Sequence, residues 1–157
     1  MKAFSGCANL TDAVIGSGVT DFGQYAFQNC SSLRTVHFRG NAPTADATTF
    51  AGTLNLKVYR LPGTLDWSST FGGSPTELWA LPNPVILTCT GLGIQDQQFG
   101  FVVSWATNLT VTVDACTDLS NLVWEPLATN ALVDGWFYFG DPGFTNHSDR
   151  FYRIRSP

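Results

Sequence analysis

Apolar residues in the first sixty positions recur with a constant step. Ala3-Phe4-Ser5-Gly6-Cys7-Ala8-Asn9-Leu10 returns as Ala26-Phe27-Gln28-Asn29-Cys30-Ser31-Ser32-Leu33, so Ala, Phe, Cys and Leu are each displaced by 23 residues. A further step reaches Phe50, Thr53 and Leu56. Each Leu is followed by a short alternating segment: Ala13 and Ile15, then Val36 and Phe38, then Tyr59 and Leu61. The pattern predicts one short strand and one return per unit. Like residues then stack in ladders about 4.8 Å apart, because no single unit can bury its own apolar face. Val19, Phe22 and Tyr25 are expected to fill the return side, with Gly16, Gly18 and Gly23 permitting tight turns. The polar loop from Arg39 to Thr49, with Pro43 inside it, reads as the array coming to an end.

From about Val85 the texture changes to apolar alternation with turn signals every eight to twelve residues, the mark of antiparallel β-structure. Strands are predicted near 84–90, 98–105, 109–116, 122–127, 135–140 and 150–155. Asn108, Asp118 to Asn121, Asp134-Gly135 and Asp141-Pro142-Gly143 supply the turns between them. In the third of these, residues 109, 111, 113 and 115 should face a core, and Thr110, Thr112 and Asp114 should face water. The predicted fold is mainly β: a short repeat solenoid over 1–80, then a small antiparallel β-sandwich-like module over 84–157.

Composition narrows the function classes. Of the 157 residues 44 % are hydrophobic and 13 % charged, about half the usual charged share, so the chain must bury a core and fold. The net charge is -4 and no run of Lys or Arg could follow a phosphate backbone, which argues against nucleic acid as a partner. The longest uncharged stretch, Leu78 to Gln95, is broken by Pro82 and Pro84 and reads as a linker, not a membrane span. Nothing after Met1 resembles a signal peptide, and the start falls inside the repeat pattern, so the chain reads as a fragment of a larger protein. An uncapped first unit would leave Phe4 and Leu10 at an edge able to recruit a second copy, a homo-dimer.

Few residues could carry chemistry. Cys7 and Cys30 fall on equivalent rungs and read as reduced core thiols; Cys89 and Cys116 lie on different predicted strands, with their pairing open. His37 sits between Val36 and Phe38, so its ring is directed away from the core, onto the exposed strand face. Val14, His37, Lys57 and Arg60 are expected to form a ligand-binding face there. In Asn146-His147-Ser148-Asp149 the residues are too close in sequence to face one another as a triad, and no G-x-S-x-G elbow is present. Asp134, Asp141, Asn146 and Asp149 fall in or near turns of the second module and offer oxygen ligands of the kind calcium takes. A bound calcium would make hydrolysis of a small ester or lactone conceivable. Five Trp residues, with Phe137, Tyr138 and Phe139, exceed what two small cores need, and alternation sends Trp136 and Tyr138 to one face.

A period of 23 lies in the leucine-rich-repeat range. The stretch Ala3 to Phe38, with Val19-Thr20-Asp21-Phe22-Gly23-Gln24-Tyr25-Ala26-Phe27 as its return, resembles the BspA-type leucine-rich repeats of bacterial surface proteins. Units of that family read approximately A-F-x-x-C-x-x-L-x-x-V-x-I-P followed by V-T-x-I-G-x-x-A-F. The departures are Ala13 for Val, Gly16 for Pro and Phe22 for Ile. Val58 to Trp67 and Phe71-Gly72-Gly73 resemble the segment that often ends such arrays, which makes 57–79 a C-terminal cap. Phe99 to Pro157 is similar to a C-terminal β-module of secreted proteins from environmental bacteria, in the strand around Val111 to Ala115, the Asp118 to Asn121 turn before Trp124, and the ending Asp149 to Arg155. The resemblance implies an extracellular or cell-surface protein that binds a protein or glycan ligand. The rival expectation is the calcium-dependent hydrolase.

Overall fold

The structure is a computed structural model and describes residues 2–156. It divides between Trp79 and Ala80 into two compact units. Among the described residues there is no α-helix; the regular structure is strands and two single turns of 3-10 helix.

In the first unit β1 (Asp12–Ile15), β2 (Thr35–Phe38) and β3 (Lys57–Arg60) run parallel as neighbours. The hairpin β4 (Thr70–Phe71) and β5 (Ser74–Leu78) closes the array, with β5 pairing β3 in parallel. On the return side the same stacking appears as backbone bonds: the amides of Phe4 and Phe27 donate to the carbonyls of Ala26 and Thr49. Gly6, Asn29 and Gly52 occupy one rung position and all have positive φ, 79°, 57° and 79°. That conformation is open to Gly and, among the other residues, best tolerated by Asn or Asp. At this rung position the left-handed backbone calls for Gly6 and Gly52. The expected turns from Gly16 to Val19 and from Gly23 to Ala26 are instead closed by bonds from the Val19 and Ala26 amides to the Gly16 and Gly23 carbonyls, without positive φ at Gly16, Gly18 or Gly23.

The step is not constant through the third rung. Asp12 pairs with Thr35, but Thr35 pairs with Lys57 and Val36 with Val58, a step of 22. Phe50 and Leu56 keep the 23-residue spacing and are buried, so one residue is lost between Leu56 and Val58. Because strand side chains alternate, that one residue exchanges the faces. Val58 is fully buried, and Tyr59, expected inside, pairs with His37 on the outer side. The core consists of Phe27, Cys30, Leu33, Val36, Phe38, Phe50, Leu56, Val58 and Phe71 with Ala26. Phe22 joins it from the return, its ring 5.7 Å from Phe38 and 5.8 Å from Phe27, whereas Val19 is 38 % exposed. Cys30 is buried but Cys7, on the end rung, is exposed, contrary to its expected place in the core. Trp67 completes the cap, packed edge-on against Phe38 at 4.9 Å.

The second unit is two facing sheets. One has the order β10 (Glu125–Ala131), β9 (Thr110–Cys116), β12 (Phe151–Arg155). The other has β11 (Trp136–Asp141), β8 (Gln98–Ser104), β6 (Val85–Ile86), with β7 (Gly93–Gln95) also on β8. Phe101, Val103, Val111, Val113, Leu132 and Phe139 fill the space between them. Two expectations for β9 fail. Leu109 lies before the strand and is half exposed, and Asp114, expected in water, is 1 % exposed.

Candidate functional site

Alternation and the parallel register place Val14, His37, Tyr59 and Glu77 in one row across the outer face of the repeat sheet. Lys57 lies in the adjoining row beside Thr35, which pairs with Asp12. The His37 ring stacks on Tyr59 at 4.9 Å with the planes 11° apart, and Trp79 meets the same imidazole at 4.6 Å. The amide of Trp79 donates to the Arg60 carbonyl, which ties the indole to the end of β3, and the Arg39 guanidinium lies 5.8 Å over its ring. Lys57 Nζ and Glu77 Oε1 are 2.8 Å apart at the far side of Tyr59's strand pair. All three rings are half-buried, and Val14 beside them is 54 % exposed.

Partial burial among these rings pushes the His37 pKa below its ordinary value, opposed by the charge of Asp12. His37 is thus neutral at pH 7 and offers a flat π surface with one donor and one acceptor nitrogen. The face is an aromatic cluster fringed by Asp12, Lys57, Glu77 and Arg39. It can stack on flat or apolar ligand surfaces and hydrogen-bond at its margin.

Of the residues assigned to a ligand face from sequence, Val14, His37 and Lys57 share this side. Arg60 does not: it pairs with Phe38 in the register of the core side, and its Nε is buried without a hydrogen-bond partner among the described residues. Tyr59 and Trp79 were missed. Tyr59 was hidden by the register change, and Trp79 lies outside the 23-residue pattern.

The stacked rungs, the left-handed Gly6, Asn29 and Gly52, and the Phe and Leu ladders define the repeat type. Residues 1–71 match the family described as BspA type leucine rich repeat region (6 copies). The first unit is a BspA-type leucine-rich-repeat region. No curated protein and no solved structure matches the chain. The BspA-type repeat is typical of surface or extracellular proteins. No helix of the described residues is long and apolar enough to cross a membrane.

Outside the BspA-type region, the four oxygen-bearing turn residues occupy different settings. Asp141 is 6 % exposed. Its Oδ2 accepts from Arg150 Nε at 2.7 Å and from the Tyr152 hydroxyl at 3.0 Å, and its Oδ1 from the Gly143 amide at 2.9 Å. Burial alone would raise the Asp141 pKa, but these donors hold it below the ordinary carboxylate value, while Tyr152 is pushed up to about 12 by burial and by the same carboxylate. Asn146 lies near Asp141 across Gly143 at the end of a 3-10 turn; Asp134 sits in another at φ 56°, and Asp149 is exposed. Among the described residues no group of three or more His, Cys, Asp and Glu side chains comes together as a metal site. Cys116 is a buried free thiol and Cys89 is half-buried. Trp136 and Tyr138 are each 42 % exposed, and Phe139 is buried.

Proposed function

We propose that the repeat region is an adhesion-type binding module whose outer strand face docks a protein or glycan ligand outside the cell or at its surface. His37, Tyr59 and Trp79 form the contact, with Val14 extending its apolar area and Lys57, Glu77 and Asp12 orienting the ligand. The observation that carries this reading is the three-ring cluster at 4.6 and 4.9 Å on the solvent side of the sheet, where it adds nothing to the core. Aromatic side chains hold large contact area in few rotatable bonds, which is why they dominate interface energetics. Membership of the BspA type supports the same reading.

The test is a screen of the protein against immobilised glycans and extracellular proteins, repeated with Trp79→Ala and Tyr59→Ala. Loss of the ligands by at least tenfold in affinity is expected, about 1.4 kcal/mol or more. Leu54→Ala, which alters a residue 71 % exposed outside the strands of this sheet, should leave them bound. Unchanged binding by the Trp79 and Tyr59 variants would remove the face from the function.

A further inference from the structure

The outer side of the β10-β9-β12 sheet carries two arginines locked onto one carboxylate. Arg153 pairs with Asp114 across the sheet, and Arg155, two residues on and therefore on the same face, pairs with Thr112. Both guanidinium groups donate through Nε to Asp114 Oδ2, each at 2.9 Å. The Arg153 guanidinium also rests on the Trp124 ring at 4.5 Å. Asp114 is almost wholly enclosed, its side chain 2 % exposed, while those of Arg153 and Arg155 remain 47 % and 55 % exposed.

Charge balance makes this more than a buried ion pair. One arginine neutralises one carboxylate; the second leaves a surplus positive charge at this cluster in a chain whose net charge is -4. Geometry adds to that surplus. An arginine carries five N–H donors, and the Nε bonds leave the paired Nη groups of Arg155 without a hydrogen-bond partner among the described residues. Two forks held at neighbouring strand positions, about 7 Å apart along β12, are arranged before any ligand arrives. The rest of the face is suited to a hydroxylated chain: the Thr112 and Thr129 hydroxyls lie 3.0 Å apart in the Arg155 row, and Pro126 pairs with Asp114 in the Arg153 row. Both guanidinium side chains stand about half exposed, 47 % and 55 %. A small free ion would keep most of its water there, whereas a polymer repeats its charges along the sheet.

We propose that this face binds an acidic polysaccharide, with Arg155 and Arg153 gripping its sulfate or carboxylate groups by forked hydrogen bonds and the two threonines contacting adjacent hydroxyls. Arginine is the side chain matched to both anions, since its planar fork meets two oxygens at once. This site lies in the second unit and is independent of the repeat-face reading.

The test is binding of the full chain to heparin, polygalacturonate and neutral dextran by calorimetry or immobilised-ligand assay at low salt. Binding to heparin, to polygalacturonate or to both is expected, and dextran should not bind; the pair of acidic probes separates sulfate from carboxylate recognition. Arg155→Gln leaves Arg153 to balance Asp114, so the fold should persist, and a fivefold or greater loss of affinity is expected, with Thr129→Ala giving a smaller loss. Arg34→Gln removes the same charge from the first unit and should change affinity less than twofold. The proposal is overturned if neither acidic polymer binds, if Arg155→Gln and Arg34→Gln weaken binding equally, if duplex DNA competes as well as the polysaccharide, or if Trp79→Ala alone abolishes the binding.

Discussion

Asp141 and Asp114 are buried carboxylates whose charge survives because each is met by arginine. Breaking a buried pair by removing one member leaves the other charge stranded and costs on the order of 3–5 kcal/mol. Arg150→Met should accordingly destabilise the second unit by about that amount, because Asp141 keeps only the Tyr152 hydroxyl and the Gly143 amide. Chemical denaturation at neutral pH measures it. Both carboxyls have folded-state pKa values below the ordinary one, so their stabilisation is fully present above about pH 4 and is lost as pH falls through the lower folded values. Melting temperature should therefore hold from neutral pH down to about pH 4 and then drop. His37 titrates in the opposite chemical sense, being a base whose burial disfavours the cation. Its ring protons, followed by NMR, should shift with a midpoint below the ordinary His value, and Asp12→Asn should lower that midpoint further by removing the one opposing charge. A midpoint at or above the ordinary value would mean the ring is not held between Tyr59 and Trp79.

Elements show what a sequence can and cannot disclose. Phe27 and Phe50, and Leu33 and Leu56, announce the repeat because stacked rungs demand like residues at like positions. The strands β8, β9, β11 and β12 were legible from alternation because one face of each meets the core. β10 begins at Glu125, later than expected, since Leu122 takes a left-handed conformation and prolongs the turn. The face of β3 was not legible: Val58 and Tyr59 are both apolar, so a one-residue contraction leaves no mark in the hydrophobic pattern. Tyr59 and Trp79 therefore escaped, and Arg60 was placed on the wrong side, because an arginine on the core side violates binary patterning. Gly52 offers a sharp test of the stacked register. Its φ is 79°, and a Cβ there would run into the Asn29 side chain of the rung before it. Gly52→Ala should thus destabilise the repeat by more than 1 kcal/mol, about the αL penalty alone, while Gly18→Ala, where a Cβ meets nothing, should be nearly neutral. Equal effects of the two would contradict the rung-to-rung packing.

At the scale of the whole chain, each of the two compact units has its own sheets and its own core cluster. Among the described residues the strand pairings of the repeat lie within 12–78 and those of the sandwich within 85–155, and the two core clusters share no residue. Truncating a buried aromatic costs about 3–5 kcal/mol, a large part of what a domain of this size has to spare. Phe27→Ala should therefore melt the repeat at lower denaturant and leave the sandwich transition in place, and Phe101→Ala should do the reverse. The two can be told apart residue by residue, with His37 resonances reporting the repeat and His147 the sandwich. In the Phe27→Ala protein at a denaturant concentration that unfolds only the repeat, ligands of the Tyr59 and Trp79 face should be lost while acidic polysaccharide is still held through Arg155. If both transitions move together in both variants, the chain is one cooperative body, and neither surface can be assigned to a unit by its loss.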